Sequence, residues 1–99
     1  MNLLFLLASF AFAAAPGDST DGTWKGYISD RRCGTVIDPD CNKRCFEEGQ
    51  PAVLVTDDKG DLIDIANTDA VKAYPGAHVT ITGVLKDGKL TVRTVKPIQ

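Results

Sequence analysis

Alternating apolar and polar residues predict that the C-terminal part of this chain is built from β-strands. The alternation is clearest in residues 77–85 and 89–95, which are separated by Asp87-Gly88. Successive side chains of a strand point to opposite faces, and Asp-Gly is favoured in two-residue hairpin turns. These residues are therefore predicted to form a hairpin, and Gly83 is expected to mark a bulge or tight bend in its first strand.

Four further segments show interpretable patterns. Residues 23–29 (TWKGYIS) alternate and are predicted to form a strand. Residues 52–56 form a short apolar run. Residues 62–66 form another largely apolar segment after a polar turn, and together the two segments predict a second hairpin. Residues 68–74 begin with a good capping residue and end before a Pro-Gly pair, which predicts a short helix.

Another helix is predicted at residues 39–48, between the first two strands. Asp38 is a preferred capping residue, Pro39 suits the first helical position, and the charge of Asp40 is favourable in the first turn. Gly49 is typical of a residue that ends a helix.

The predicted order is strand, helix, strand, strand, short helix, strand, strand. Five strands with a helix between the third and the fourth is the order of an OB-fold, which is a small, partly open Greek-key barrel. We therefore predict a mainly β protein. It is expected to be a small five-stranded OB-fold-like barrel with a cysteine-bearing helix after strand 1 and a short helix between strands 3 and 4.

From about residue 24 to residue 98, the chain resembles a group of short secreted bacterial proteins. The resemblance rests on GYISDRRCG at the first strand, on the C-x3-C helix, and on VLVTDDKGDLIDIAN and GAHVTITGVLKDGKLTVRTV in the barrel. It implies an exported OB-fold-like domain with no established activity, and it supplies no catalytic residues. A fold does not by itself determine a function.

The beginning of the chain predicts export. Residues 3–15 are apolar or small, and these 13 residues are too few to span a membrane, which takes about 20. Ala11-Phe12-Ala13 matches the small-x-small pattern of a signal-peptidase site, although no Lys or Arg precedes the apolar run. Residues 1–13 are therefore predicted to be a signal peptide, residues 14–22 a flexible leader, and residues 23–99 the domain. The expected location is periplasmic or secreted, with no integral membrane segment after cleavage.

Charge and composition argue against nucleic acid as a partner. The net charge is −2, which gives no long-range attraction for phosphates. OB-folds that bind nucleic acid use aromatic and basic residues on strands 2 and 3. Residues 52–67 contain no Phe, Tyr, Trp or Arg, one Lys, and four Asp. We therefore expect no nucleic-acid binding, whereas a protein, peptide or glycan partner stays open.

No catalytic arrangement is recognisable in the sequence. The one histidine, His78, opens a strand beside Gly76-Ala77, where a structural role is expected. The acidic turn at residues 57–61 lacks the spacing of oxygen ligands found in calcium-binding loops. Neither a catalytic residue nor a cofactor is predicted.

The reactive groups of the chain are its three cysteines, Cys33, Cys41 and Cys45. Residues four apart in a helix have β-carbons about 5–6 Å apart, whereas a disulfide needs about 3.8 Å. Cys33 is therefore predicted to pair with Cys41 or Cys45. Loop entropies of about 2.6 and about 2.9 kcal/mol do not distinguish the two partners. Cys45 is preferred because it adjoins Phe46, the large apolar residue expected to face inward, and Cys41 is the alternative.

Two other uses of the cysteines stay open. Thiolates of Cys33, Cys41 and Cys45 could bind Cu(I) or Zn(II), although no histidine lies near them in the sequence to complete a tetrahedral site. Thiol-redox chemistry is less favoured because a C-x-x-C motif is absent. The predicted function is an exported, non-catalytic binding or envelope-associated module, stapled by one disulfide and without a bound metal. A metal-binding or thiol-redox protein is the alternative.

Overall fold

A computed structural model describes residues 19–98 as a closed β-barrel with the strand order β1-β2-β3-β5-β4. The strands are β1 (Ser19–Asp30), β2 (Ala52–Thr56), β3 (Leu62–Ile65), β4 (His78–Lys86) and β5 (Lys89–Pro97). The helix α1 (Pro39–Glu47) follows β1, and a 3₁₀ helix (Thr68–Ala70) follows β3. The predicted fold class, a small five-stranded OB-fold-like barrel, is confirmed. Neither helix described in residues 19–98 is long and apolar enough to cross a membrane.

The long strand β1 pairs with two different strands of the barrel, β4 and β2. Its first part pairs with β4 from Ser19 to Tyr27, and its last part pairs with β2 from Gly26 to Asp30. Gly26 lies in both ladders, and a Cβ atom there would collide with the carbonyl oxygen of Val55. Glycine at this position therefore allows the close backbone approach that the bend between the two ladders requires.

The start of β1 corrects the predicted boundary of the flexible leader. The strand begins at Ser19, and residues 19–22 are paired with the end of β4 instead of belonging to the leader. These residues are polar or glycine and largely exposed, so their side chains show no alternation. Backbone pairing with β4 forms the strand. The signal peptide (1–13) and residues 14–18 of the leader lie outside the described residues.

The hairpin of β4 and β5 agrees with the sequence prediction. Asp87 and Gly88 both have positive φ, at 53° and 77°, as a two-residue turn of type I′ requires. A register shift lies between Thr82 and Gly83, where a bulge was predicted. A short parallel pairing of β3 with β5 then closes the barrel.

The core lies inside the barrel and extends under α1. Its central residues are fully buried: Ile28, Leu54, Val79, Ile81 and Leu90. Phe46 joins this cluster from α1 and is 4% exposed, which confirms that this face of the helix points inward. The helix is thus attached to the barrel next to the end of β1.

The short helix after β3 is a single 3₁₀ turn. Asn67 precedes it but makes no capping hydrogen bond, because its side chain pairs with both backbone groups of Val92 on β5. The hydroxyl of Thr68 accepts a hydrogen bond from the backbone N–H of Ala52. The hydroxyl of Thr68, which was expected to cap the helix, is therefore bonded to the first residue of β2, and the helix is shorter than the predicted range of 68–74.

Candidate functional site

The helix α1 places two of the three cysteines on one side. The carboxylate of Asp38 accepts hydrogen bonds from the backbone N–H groups of Asp40 (3.1 Å) and Cys41 (3.2 Å), which confirms the predicted cap. The helix ends at Glu47, one residue before the predicted end. Cys41 and Cys45, one turn apart, therefore lie on the same side of a well-capped helix.

A tight turn at the end of β1 positions the third cysteine. The Asp30 Oδ1 accepts hydrogen bonds from the backbone N–H groups of Arg32 (2.8 Å) and Cys33 (2.9 Å). Gly34 donates to the backbone oxygen of Asp30 and has a positive φ of 58°, which favours glycine. The Ser29 hydroxyl donates to the backbone oxygen of Gly34 (2.7 Å). Two side chains of β1 thus hold the Cys33 turn in one conformation.

These two elements bring the three sulfur atoms together. The Sγ atoms of Cys33, Cys41 and Cys45 all lie within 4.8 Å of one another. Cys45 is buried, and the other two are partly exposed. We call these residues the three-cysteine cluster. All three thiols are free in the structure, so neither the Cys33–Cys45 nor the Cys33–Cys41 bridge is formed in it. The disulfide stays a prediction.

A buried polar network adjoins the three-cysteine cluster. The side-chain amide of Asn42 donates to Asp30 Oδ2 (2.7 Å) and to the Ser29 hydroxyl (3.3 Å). Ser29, Asp30 and Asn42 are all 0% exposed. The network links the end of β1 to the helix, and it was not recognised from the sequence. A usable signal was present, because Asn42 lies three and four positions before the inward-facing Cys45 and Phe46.

Protonation states in the cluster follow from this network. Burial alone would raise the pKa of Asp30, but the hydrogen bonds from Asn42 and from the backbone N–H of Cys33 outweigh it and lower the pKa. Burial raises the pKa of the Cys33 thiol, and its interactions with Cys41 and Asp30 raise that pKa further. The pKa of Cys45 is also raised, first by burial and then by Asp30. Cys33 and Cys45 are therefore thiols at neutral pH, unlike the low-pKa cysteines of redox enzymes.

The cluster is the single group of converging metal-ligand side chains found in residues 19–98. The one histidine lies elsewhere: His78 Nε2 contacts the carboxylate of Asp57 (2.8 Å), and its ring stacks on Tyr27 with centroids 4.4 Å apart. His78 thus joins β4 to the acidic turn after β2 and to β1, which is a structural role. It does not contribute a fourth ligand to the cysteines.

A cavity of about 390 Å³ lies between β1 and the β2–β3 hairpin. Residues 23–25 of β1 line one side, and the hairpin contributes Asp57, Asp58 and Asp61 among others. Trp24 of β1 therefore supplies an aromatic surface that β2 and β3 lack. The carboxylates of Asp57, Asp58 and Asp61 in its lining repel phosphates, so the cavity does not favour a nucleic acid.

No protein-family model matches this chain, and no curated protein and no solved structure is significantly similar to it. The resemblance to short secreted bacterial proteins therefore stays an expectation. A barrel of this kind does not specify an activity, so the function has to be inferred from the residues of the site.

Proposed function

We propose that this protein is an exported, non-catalytic OB-fold-like module that binds one soft metal ion through Cys33, Cys41 and Cys45. The observation that carries this proposal is the convergence of all three Sγ atoms within 4.8 Å. A metal with three M–S bonds of about 2.3 Å lies at the centre of a sulfur triangle with edges of about 4.0 Å. Side-chain adjustments of about 1 Å or less would therefore complete the site.

The positions of the cysteines favour a metal over a disulfide. A disulfide uses two sulfur atoms about 2.05 Å apart and gives the third no role, whereas a metal site uses all three. Cys41 and Cys45 on one helical turn form a chelating pair, and the braced turn at Asp30 presents Cys33 to them. The ligands are thus held by structure that exists before the metal binds, which reduces the ordering cost of binding.

Export is the second part of the proposal. The apolar residues 3–15 and the Ala11-Phe12-Ala13 pattern support a signal peptide, which would place the mature protein in the periplasm or outside the cell. Metal coordination would occupy all three sulfurs there, so that oxidation to a disulfide would have to compete with it. We propose no catalytic role for the cysteines, because the raised pKa values of Cys33 and Cys45 disfavour the nucleophilic thiolate.

Metal binding is tested by competition with a chromophoric chelator under anaerobic conditions. The protein should bind one equivalent of a soft metal ion, and Cys33→Ser, Cys41→Ser and Cys45→Ser should each weaken binding. Removal of an outer-shell partner lowers metal affinity by about 10–100-fold. Each of these substitutions should lower the affinity by more than that, because it removes a direct ligand. Asp58→Asn is the matched control, since Asp58 is exposed and bonds only to the backbone of Lys59. Equal metal affinity in all four variants would refute the proposal.

A second candidate is a module stapled by a Cys33–Cys45 disulfide that binds an unknown protein, peptide or glycan partner. The sulfur separations within 4.8 Å and the Trp24-lined cavity favour it. In that case non-reducing mass spectrometry should find one bridge, one free thiol and no metal. Cys33→Ala should then destabilise the fold by about 2–4 kcal/mol, and loss of the unpaired cysteine by much less.

A further inference from the structure

We infer that the metal of the three-cysteine cluster is Cu(I), bound by three sulfurs and by no fourth protein ligand. This inference rests on the proposed function and specifies which ion the site selects. The binding reaction is an exchange of ions: three cysteine thiols release three protons to solvent, and one Cu⁺ forms three Cu–S bonds without a change of oxidation state.

The number and type of donor atoms favour Cu(I). Among residues 19–98, the converging ligand set consists of three sulfurs and contains no histidine nitrogen or carboxylate oxygen. Structural Zn(II) sites are almost always four-coordinate and tetrahedral. Thiolates are soft ligands that select Cu(I), among other soft ions, and three sulfurs complete a trigonal site. Zn(II) would require a fourth ligand from solvent at a partly exposed position.

The nearest carboxylate is not available as that fourth ligand. Asp30 Oδ1 already accepts two backbone hydrogen bonds, from Arg32 and Cys33, and Oδ2 accepts the bond from Asn42 at 2.7 Å. Turning this carboxylate toward a metal would leave buried donors without partners, which costs about 1–3 kcal/mol for each group. Asp30 is therefore a positioning residue that holds the Cys33 turn.

The negative charge of the Cu(I)-loaded site is the main effect that opposes metal binding. Cu(I) with three thiolates carries −2, and Asp30 adds another negative charge beside it. Arg32 offsets part of this charge, because it lies within electrostatic range of both Cys45 and Asp30. Arg32 also forms a 3.0 Å ion pair with Glu48, next to the end of α1, and both side chains are about half exposed, so this pair is a weak restraint. Cys33 and Cys41 are partly exposed, and solvent screens the remainder.

The choice of ion is tested by comparing Cu(I) and Zn(II) binding to the same protein under anaerobic conditions. One equivalent of Cu(I), delivered from a bicinchoninate complex, should bind and should displace Zn(II) from protein loaded beforehand. X-ray absorption at the copper edge should show three sulfur neighbours at about 2.3 Å and no oxygen or nitrogen neighbour. This measurement uses the unmodified chain, so it does not depend on a variant that folds.

The Asp30→Asn variant provides an independent check on the ligand set. It should keep one Cu(I) per chain and an unchanged three-sulfur X-ray absorption spectrum, because Asp30 supplies no ligand atom. Loss of an oxygen neighbour from the spectrum in this variant would show that Asp30 is a ligand and would contradict the three-sulfur set. A four-coordinate Zn(II) site that Cu(I) does not displace would overturn this inference and leave the proposed function intact. Failure of both ions to bind would overturn the proposed function itself.

Discussion

At the residue scale, Asp30 is the group on which the site depends most. It is fully buried at the end of β1, and it bonds to the turn that carries Cys33 and to Asn42 on α1. A carboxylate in this position can accept all of these hydrogen bonds, whereas an amide cannot accept on its nitrogen. One side chain thereby fixes the relative positions of both elements that supply sulfur atoms.

Asp30→Asn should lower the free energy of unfolding by about 1–3 kcal/mol, because the buried amide of Asn42 loses its acceptor Oδ2. Urea denaturation at pH 7 measures the effect. Asp58→Asn, which changes an exposed carboxylate, should stay within about 0.5 kcal/mol of the parent. Equal losses in the two variants would show that Asp30 does not organise the site.

The effect of Asp30 should also depend on pH. The folded protein lowers the pKa of this carboxyl below its ordinary value of 3.8, so the folded state favours the charged form. Its contribution to stability is therefore complete above the ordinary value and is lost as the pH falls through the lower, folded value. The stability difference between the parent and Asp30→Asn should shrink below pH 3.8. A difference that grows in acid would contradict the direction of the shift.

At the element scale, the helix α1 presents two sulfurs only if its first turn is intact. Asp38 caps the backbone N–H of Cys41 itself, and Gly76 packs so closely against Pro39 that a Cβ atom at Gly76 would overlap it. The start of the helix is thus fixed to the loop before β4, and its other end is anchored in the core by Phe46. Movement of either end would separate Cys41 from Cys45 and Cys33.

Asp38→Ala should lower stability by about 0.5–2 kcal/mol, as loss of an N-cap usually does, and it should weaken metal binding as well. The reason is that the first turn, which carries Cys41, loses its cap. Asp40→Ala is the matched control, because Asp40 has a similar charge in the same turn but accepts none of the described side-chain hydrogen bonds. Thermal unfolding and chelator competition measure the two effects. Metal affinity in Asp38→Ala equal to that in Asp40→Ala would contradict this role of the cap.

The sequence predicted the individual helices and strands better than the contacts between them. Strands β4 and β5 were readable because their side chains alternate and their turn is Asp-Gly, and α1 was readable from Asp38 and Pro39. The pairing of residues 19–22 was not, since it is made by backbone groups. The proximity of Cys33 to the helical pair was predicted, but the hydrogen bonds that Asp30 accepts from Cys33 and Asn42 were not, because they are formed only in the folded chain.

At the scale of the whole molecule, the barrel is a small scaffold that carries the three-cysteine cluster at one end of β1. The Asp-rich hairpin and the Trp24-lined cavity lie at the β2–β3 turn, whereas the cysteines lie between the end of β1 and α1. The net charge is −2, and the turn after β2 carries Asp57, Asp58 and Asp61. The surface is therefore suited to solvation and not to polyanions.

The protein should accordingly have no salt-sensitive, micromolar affinity for single-stranded DNA or RNA. Its expected binding strands offer carboxylates where phosphate-binding proteins place basic groups. A fluorescence anisotropy titration with labelled oligonucleotides at low and at physiological salt measures this. Saturable binding that weakens as salt is added would show that the charge of the β2–β3 surface has been interpreted wrongly.

The central claim is that the three cysteines act together as one metal site. The most direct test is a combined metal and thiol count on protein recovered, without added reductant, from the compartment to which export is proposed. We expect one soft metal ion per chain, and three titratable thiols once a chelator has removed it under denaturing, anaerobic conditions. One disulfide, one thiol and no metal in that same sample would contradict the claim.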